Sequence, residues 1–182
     1  MPRIHVLGAS GSGTTTLGAA LAARLGVPHE DSDAYFWQQT DPPFTAPRLP
    51  AERMALLLPR LRDTPHWVHS GATIGWGEAL WPLYDLIVFV TLDNATRLQR
   101  LRRRENDRFG ARIDRGGDMH ASSVEFLDWA ALYETAGMET RSRMQQEAWL
   151  ATRACKVVRL DSVLPTAALV EAVLAALPGG DA

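Results

Sequence analysis

The 182 residues hold one cysteine, Cys155, and one lysine, Lys156, against eighteen arginines. A single cysteine excludes an internal disulfide and fits a reducing cytoplasm. It stands beside the apolar run Val157-Val158, which predicts a buried, inert thiol. No apolar run approaches the roughly 20 residues of a membrane span. The N-terminus runs directly into an apolar segment, so no signal peptide is expected. Neither sign of charge dominates: the net charge is −2, which speaks against general nucleic-acid binding. His66 and His69 fall on opposite faces of a strand and lack metal-ligating company, which argues against zinc. No internal repeat or low-complexity tract is present. One domain with a substantial core is expected over residues 1–182.

The most informative stretch is Ile4 to Thr16. An apolar run (Ile4, Val6, Leu7) stops at Gly8, and small residues follow to Gly13. A helix is predicted from Thr14 to Leu25, with Leu17, Ala20, Leu21 and Ala22 on one side and Gly26-Val27-Pro28 as its stop. Strand, glycine loop and helix make a phosphate cradle: the glycines admit tight turns, and backbone N–H groups with the helix N-terminus point at the anion. Gly8, Gly13 and Thr15 fit the P-loop spacing G-x-x-x-x-G-K-[ST]. Gly8, Ala9, Ser10, Gly11, Ser12, Gly13, Thr14, Thr15 and Thr16 are thus candidate nucleotide-binding residues, with Thr15 the candidate Mg²⁺ ligand. The plainer reading is a glycine-rich β–α turn without a ligand.

Thr14 stands where that pattern has lysine. The ammonium group normally neutralises the β- and γ-phosphates, and a threonine supplies a hydrogen bond but no charge. Either an arginine from another segment reaches in, or the protein binds nucleotide without turning it over quickly.

A short second strand is expected around residues 28–32, ending in Asp31-Ser32-Asp33. On an extended chain the two aspartates share a side, at the strand ends where open α/β sheets bind ligands. There a carboxylate can hold Mg²⁺ or take a proton from an acceptor hydroxyl; alternatively the pair is a solvated turn that caps the next helix. Ala34 to Trp37 could wall an acceptor pocket or lie in the core. Residues 38–50, with four prolines, read as a loop, and a helix follows from Pro50 to Arg62 that Pro59 should kink or divide. The segment from about 36 to 64 sits where small kinases place an acceptor lobe. Trp67 to Gly71 is the third strand, with Ser70 and Gly71 at its exit. Asp85 to Thr91 is a near-continuous apolar run, as in a parallel sheet covered on both faces, and Asn94 is a candidate cap for the next helix.

Arg97 to Arg115 holds eight arginines against Glu105, Asp107 and Asp114. Arg97, Arg100, Arg104 and Arg108 fall on one helical face, and Gly116-Gly117 supplies a hinge. A basic arm there suits a lid, about residues 100–120, that closes over polyphosphate; a solvated basic helix that binds RNA or an acidic partner is the alternative. Ser122 to Glu125 has the form of a capping box opening a helix to about Ala136. A further helix is expected over 139–152, and Arg141 and Arg143 near its start oppose its dipole and hint at a nearby anion. Cys155 to Asp161 is the fifth strand, Thr166 to Leu177 the last helix, and residues 179–182 a frayed end.

Five strands alternating with helices, with a phosphate loop after the first and an arginine arm after the fourth, resemble the small P-loop kinases of the adenylate kinase and shikimate kinase type. The resemblance is carried by Gly8–Thr15, Asp31-Ser32-Asp33, Ser70-Gly71 and Arg100–Arg115, and covers most of the chain. It implies a three-layer α/β P-loop NTPase fold with a parallel sheet in the order 2-3-1-4-5. It implies ATP and Mg²⁺, with Asp31 near the metal, Asp33 on the acceptor, and Ser70 and Gly71 bordering it. Lid arginines, among them Arg104 and Arg108 at the transferring group and Arg112 on the nucleotide, would meet the phosphates, and Arg141 would help bind the acceptor. The loop from Asp161 to Thr166 would lie beside the adenine. The expected partners are a nucleotide and a small-molecule acceptor; a regulatory nucleotide-binding protein is the alternative that Thr14 keeps open.

Overall fold

The computed structural model describes residues 2–177. Five strands form one all-parallel sheet: β1 (Arg3–Gly8), β2 (His29–Asp31), β3 (Trp67–Ser70), β4 (Leu86–Thr91) and β5 (Lys156–Asp161). Their order is β2-β3-β1-β4-β5, the order implied by the family resemblance. Seven α-helices connect them: α1 (Thr14–Leu25), α2 (Ser32–Phe36), α3 (Pro50–Asp63), α4 (Asn94–Phe109), α5 (His120–Ala131), α6 (Arg143–Ala151) and α7 (Thr166–Ala175).

Strand periodicity splits the apolar residues between two cores. On one face Ile4, Val6, Val88 and Val90 pack against Leu17 and Leu21 of α1 and Val170 and Val173 of α7. On the other, Leu7, Ile87 and Phe89 pack with Trp67, with Leu57 and Leu61 of α3, and with Trp149 of α6. A sheet covered on both faces explains the unbroken hydrophobicity of β4. β5, at the edge, is only partly buried. No helix among the described residues is long and apolar enough to cross a membrane.

Several local expectations are corrected. Pro59 does not divide α3; it lies on the exposed side, where the carbonyl it leaves unpaired can meet water. Asp93, not Asn94, caps α4, accepting from the Thr96 amide at 2.9 Å; the Asn94 side chain accepts from Arg97 instead. The capping box at Ser122 does not form, because the turn closed by the Met119 amide on the Arg112 carbonyl starts α5 at His120. That helix ends at Ala131 and passes into a 3-10 turn over Leu132–Glu134. α6 starts at Arg143 with Ser142 as its cap, so Arg141 lies off the helix. The anion near Arg143 is the protein's own Glu134. Cys155 is only half-buried and precedes β5. The proposed frayed end at 179–182 lies outside the described residues.

Arg97 is the largest departure. Expected on one helical face with Arg100, Arg104 and Arg108, it is fully buried. Its guanidinium donates to the Ser10 carbonyl (2.8 Å), to Asn94 Oδ1 (2.6 Å) and to the Ala130 carbonyl (2.9 Å). One side chain thereby ties the loop after β1 to α4 and α5. The arm is also less hinged than its glycines imply: a Cβ on Gly117 would lie 2.2 Å from the Arg112 carbonyl oxygen, so that glycine serves close packing. Replacing Arg97 by methionine keeps much of the volume and strands two buried carbonyls. We expect a loss of about 2–4 kcal/mol, measured by urea unfolding; an unchanged midpoint would refute the clamp.

Candidate functional site

β1 is the central strand, and its C-terminal end delivers the loop Gly8–Gly13 to the crevice above the sheet. Gly8 lies against β4 so closely that a Cβ there would stand 2.3 Å from the Val90 carbonyl oxygen. Gly13, with φ +92°, caps α1 in the left-handed region that glycine tolerates. No side chain caps α1 and no acidic residue stands in its first turn. Its first amides are therefore left for an external acceptor, with the positive end of the helix dipole behind them. Gln146 Nε2 donates to the Gly8 carbonyl at 3.3 Å, which pins the loop from a third direction.

A cavity of about 600 Å³ opens over this loop. Gly8, Ala9, Ser10, Gly11, Thr14 and Thr15 line it. Ser12 does not: it is fully buried beneath the loop. Gly13 and Thr16 also lie off the lining.

Asp31 and Asp33 both reach the cavity, but not as two residues on one extended edge. Asp31 ends β2 and caps α2, its Oδ1 accepting from the Asp33 amide at 3.0 Å, and Asp33 is already helical. Asp31 thus caps the next helix, as the plainer alternative has it, and lines the cavity as well. Between them Ser32 is buried, its Oγ 2.9 Å from His69 Nε2. The close approach of β3's exit is possible because residue 71 is glycine: a Cβ there would meet Ser32 Cβ at 2.6 Å. Gly71 lines the cavity; Ser70 is buried, with its hydroxyl 3.0 Å from His29 Nε2. Asp33 is open to the cavity yet ringed by protein. Burial, then the neighbouring Asp31, raise its pKa above the ordinary carboxylate value, and Arg141, Arg104 and Arg108 offset this only in part.

Arg104, Arg108 and Arg141 all line the cavity. Arg141 lies between α5 and α6 in sequence, with Nη1 3.3 Å from Ser10 Oγ on the phosphate loop. Burial lowers its pKa, with Asp33 the main opposing influence. Burial in the cleft and the neighbouring Arg108 lower that of Arg104. Among the described residues neither Arg104 nor Arg141 forms an ion pair. Arg112 differs. Asp118 and Asp41 hold it at 2.7 and 3.0 Å, and it does not line the cavity.

Phe44, Phe126 and Trp129, together with Phe36 and Trp37, also line the cavity. Tyr35, in the same short helix as Phe36, is core. Phe126 and Trp129 escaped the sequence reading because aromatics three apart on a helix look like an ordinary core face.

The site suits a phosphate group on its own geometry: an uncapped helix start, a glycine-built loop and two arginines, Arg104 and Arg141, without ion pairs among the described residues. Thr15 and Asp31 line the same cavity. Mg²⁺ bound to nucleotide takes few protein ligands, the rest coming from phosphate and water, and a hydroxyl and a carboxylate fit that role in kind. Among the described residues no group of three or more His, Cys, Asp or Glu could hold a metal alone.

No protein-family model matches the chain. Over 158 residues it is 46% identical to "Uncharacterized protein YqaC" of Bacillus subtilis (strain 168), covering 87% of each protein. Its structure is similar to shikimate kinase from Acinetobacter baumannii, solved in complex with shikimate, at TM-score 0.56 and 16% identity over 97% of this chain and 92% of that one. Shikimate kinase from Bacteroides thetaiotaomicron gives TM-score 0.56 at 18% identity, covering 95% and 96%. A gluconokinase from Sinorhizobium meliloti 1021 gives 0.51 at 17%, covering 96% and 90%. At these identities the likeness is one of fold, and that fold is the P-loop kinase fold.

The raised pKa of Asp33 has a thermodynamic consequence. The native state holds the proton more tightly than the unfolded chain, so ionising this carboxylate at neutral pH opposes folding. Asp33→Asn should therefore raise the urea midpoint at pH 7, and the gain should vanish as pH falls below the ordinary value of 3.8. A loss of stability at pH 7 would contradict this electrostatic picture.

Proposed function

Starting from a chain that belongs to the family of the Bacillus subtilis protein YqaC and has the P-loop kinase fold, we propose that it is a small-molecule kinase. It transfers the γ-phosphoryl group of ATP to a hydroxyl or phosphate of a small acceptor. The observation that carries this reading is the meeting, in one cavity, of the phosphate loop, Asp31 and Asp33, and three arginines. Residues 1–182 act as one kinase domain in the cytoplasm, and the arginines that face inward favour a small acceptor over nucleic acid.

The loop amides and the start of α1 hold the β- and γ-phosphates. Thr15 and Asp31 would hold Mg²⁺, which would neutralise phosphate charge. Asp33 orients the acceptor. As the acceptor oxygen bonds to the γ-phosphorus, the bond to the β–γ bridging oxygen breaks and ADP leaves with that electron pair. Where the acceptor is a hydroxyl, its proton passes to Asp33, whose raised pKa makes it a stronger base than an ordinary carboxylate. Arg104 and Arg108 stabilise the transferring group.

Thr14 leaves the loop one charge short. Lys156 cannot supply it, since its Nζ donates to the Ala176 carbonyl at 2.8 Å. Arg141 is the best-placed substitute: it contacts the loop directly and has no carboxylate partner of its own. Arginines that meet a transferring phosphoryl group contribute about 10³–10⁵ in rate, enough to replace a lysine. The variant loop also favours a second reading, a regulatory protein that binds nucleotide without transfer.

With ATP, Mg²⁺ and a panel of nucleoside monophosphates, sugars and hydroxy acids, at least one acceptor should be phosphorylated. Arg141→Met should lower kcat by about 10³-fold, and Thr14→Lys in that background should recover part of the loss. Asp33→Asn should remove transfer to a hydroxyl while calorimetry shows ATP still bound. ATP binding without transfer to any acceptor, in the wild type and in Thr14→Lys alike, would establish the regulatory reading instead.

A further inference from the structure

Strand order lets two molecules approach the phosphate loop from opposite edges of the sheet. The loop after β5 lies toward one edge; α2 and the loop after it lie toward the other. The cavity belongs to the second side: Phe36, Trp37, Phe44 and Gly71 bound it, and no residue of 161–166 does. On the kinase reading, on which this inference rests, the acceptor enters here.

Its walls are rings. Phe36 and Trp37 have centroids 4.8 Å apart, and Phe44 stands 6.1 Å from Trp37, edge to face. From α5, Phe126 and Trp129 add a second pair, 6.0 Å apart with planes tilted by 31°. Each cavity arginine lies over one of these rings: Arg108 over Phe44 at 4.1 Å, Arg104 over Phe126 at 5.6 Å and Arg141 over Trp129 at 5.3 Å. Neutral hydrogen-bonding side chains are few. Beyond Ser10, Thr14 and Thr15 of the loop they are Ser32, Thr45, Ser122, Ser123 and the indole of Trp37 or Trp129. Five of these are already engaged: Ser10 with Arg141 at 3.3 Å, Ser32 with His69 at 2.9 Å, Thr45 with the Pro42 carbonyl at 3.0 Å, Ser123 with Glu105 at 3.4 Å and the Trp129 indole with Thr140 at 3.0 Å.

Charge does not choose the acceptor, since three arginines face four carboxylates: Asp31, Asp33, Glu105 and Glu125. The walls do. A polyhydroxylated acid carries hydroxyls around its skeleton, and each one stripped of water without a partner is costly. Ring walls supply none of those partners, and with the neutral side chains mostly engaged they would have to come from the charged groups alone. A planar unsaturated ring gives up little on entry and gains stacking. Base-on-aromatic stacking is also tolerant of ring identity. We infer that the acceptor presents a planar unsaturated ring, a nucleobase or aryl group, to the Phe36–Phe44 and Phe126–Trp129 walls, and is not a polyhydroxylated aliphatic acid.

The test is calorimetric. Adenosine, guanosine and thymidine monophosphates and 4-hydroxybenzoate are titrated against gluconate and shikimate, with Mg²⁺ and a non-hydrolysable ATP analogue already bound. At least one ring compound should bind about tenfold tighter than either polyhydroxy acid. Phe126→Leu keeps apolar bulk but removes a π face; it should weaken that compound about tenfold while the ATP analogue changes by less than about twofold. The inference is overturned if gluconate or shikimate binds best or no ring compound binds. It is equally overturned if the ring compound displaces the ATP analogue, or if Phe126→Leu has no effect. Transfer to a polyhydroxy acid would sink this inference and leave the kinase reading standing. Ring binding without transfer to any acceptor would do the reverse.

Discussion

Arg97 lies wholly inside the protein, and its guanidinium joins the carbonyls of Ser10 and Ala130 to the side chain of Asn94. Burying a charge is expensive, and it is tolerated only where its hydrogen bonds are met. Here the two terminal nitrogens are met by acceptors from separate parts of the fold, while Nε has no partner among the described residues. The consequence is mechanical: the phosphate loop cannot relax without releasing α4 and α5. Gly8 against Val90 and Gln146 on the Gly8 carbonyl act in the same sense. The amides above α1 are thus held in place before any ligand arrives, which is the condition under which backbone dipoles stabilise an anion most.

The arginines of the second half divide by what already holds them. Arg97 is bound by carbonyls, Arg112 by Asp118 and Asp41, and Arg143 by Glu134. Arg104 and Arg141 are not ion-paired; they rest on aromatic faces in the cavity, and burial disfavours their charge. Asp33, a few residues of wall away, is likewise held where its ionised form is disfavoured. Perturbed ionisable groups gathered in a cleft are what a catalytic or binding site requires.

Fold and chemistry stand on separate ground here. The likeness to shikimate kinase and gluconokinase extends over nearly the whole chain yet at identities below one in five, and a fold of this kind carries many activities. The chemistry has to be argued from local features: threonine at position 14 of the loop, an arginine leaning on Ser10, and a cavity walled by aromatic rings.

The glycine spacing after an apolar run, the alternation of strands with helices and the unbroken apolar β4 were legible without coordinates, because they follow from backbone conformation and burial along contiguous residues. The candidate loop, both aspartates and the arginines at 104, 108 and 141 could be named from type and spacing. Which of them face the cavity could not. Helical spacing put Arg97 and Arg104 on one face, but packing buried the first against Ser10 and left the second in the cleft. Arg112 read like its neighbours until Asp41, far away in sequence, met it across the fold. Phe44, Phe126 and Trp129 form walls only because the loop after α2 and helix α5 are brought together over the sheet. Local patterns determine where the chain turns and which segments are buried; the environment of a charge or a ring depends on distant segments, and only the tertiary structure decided it.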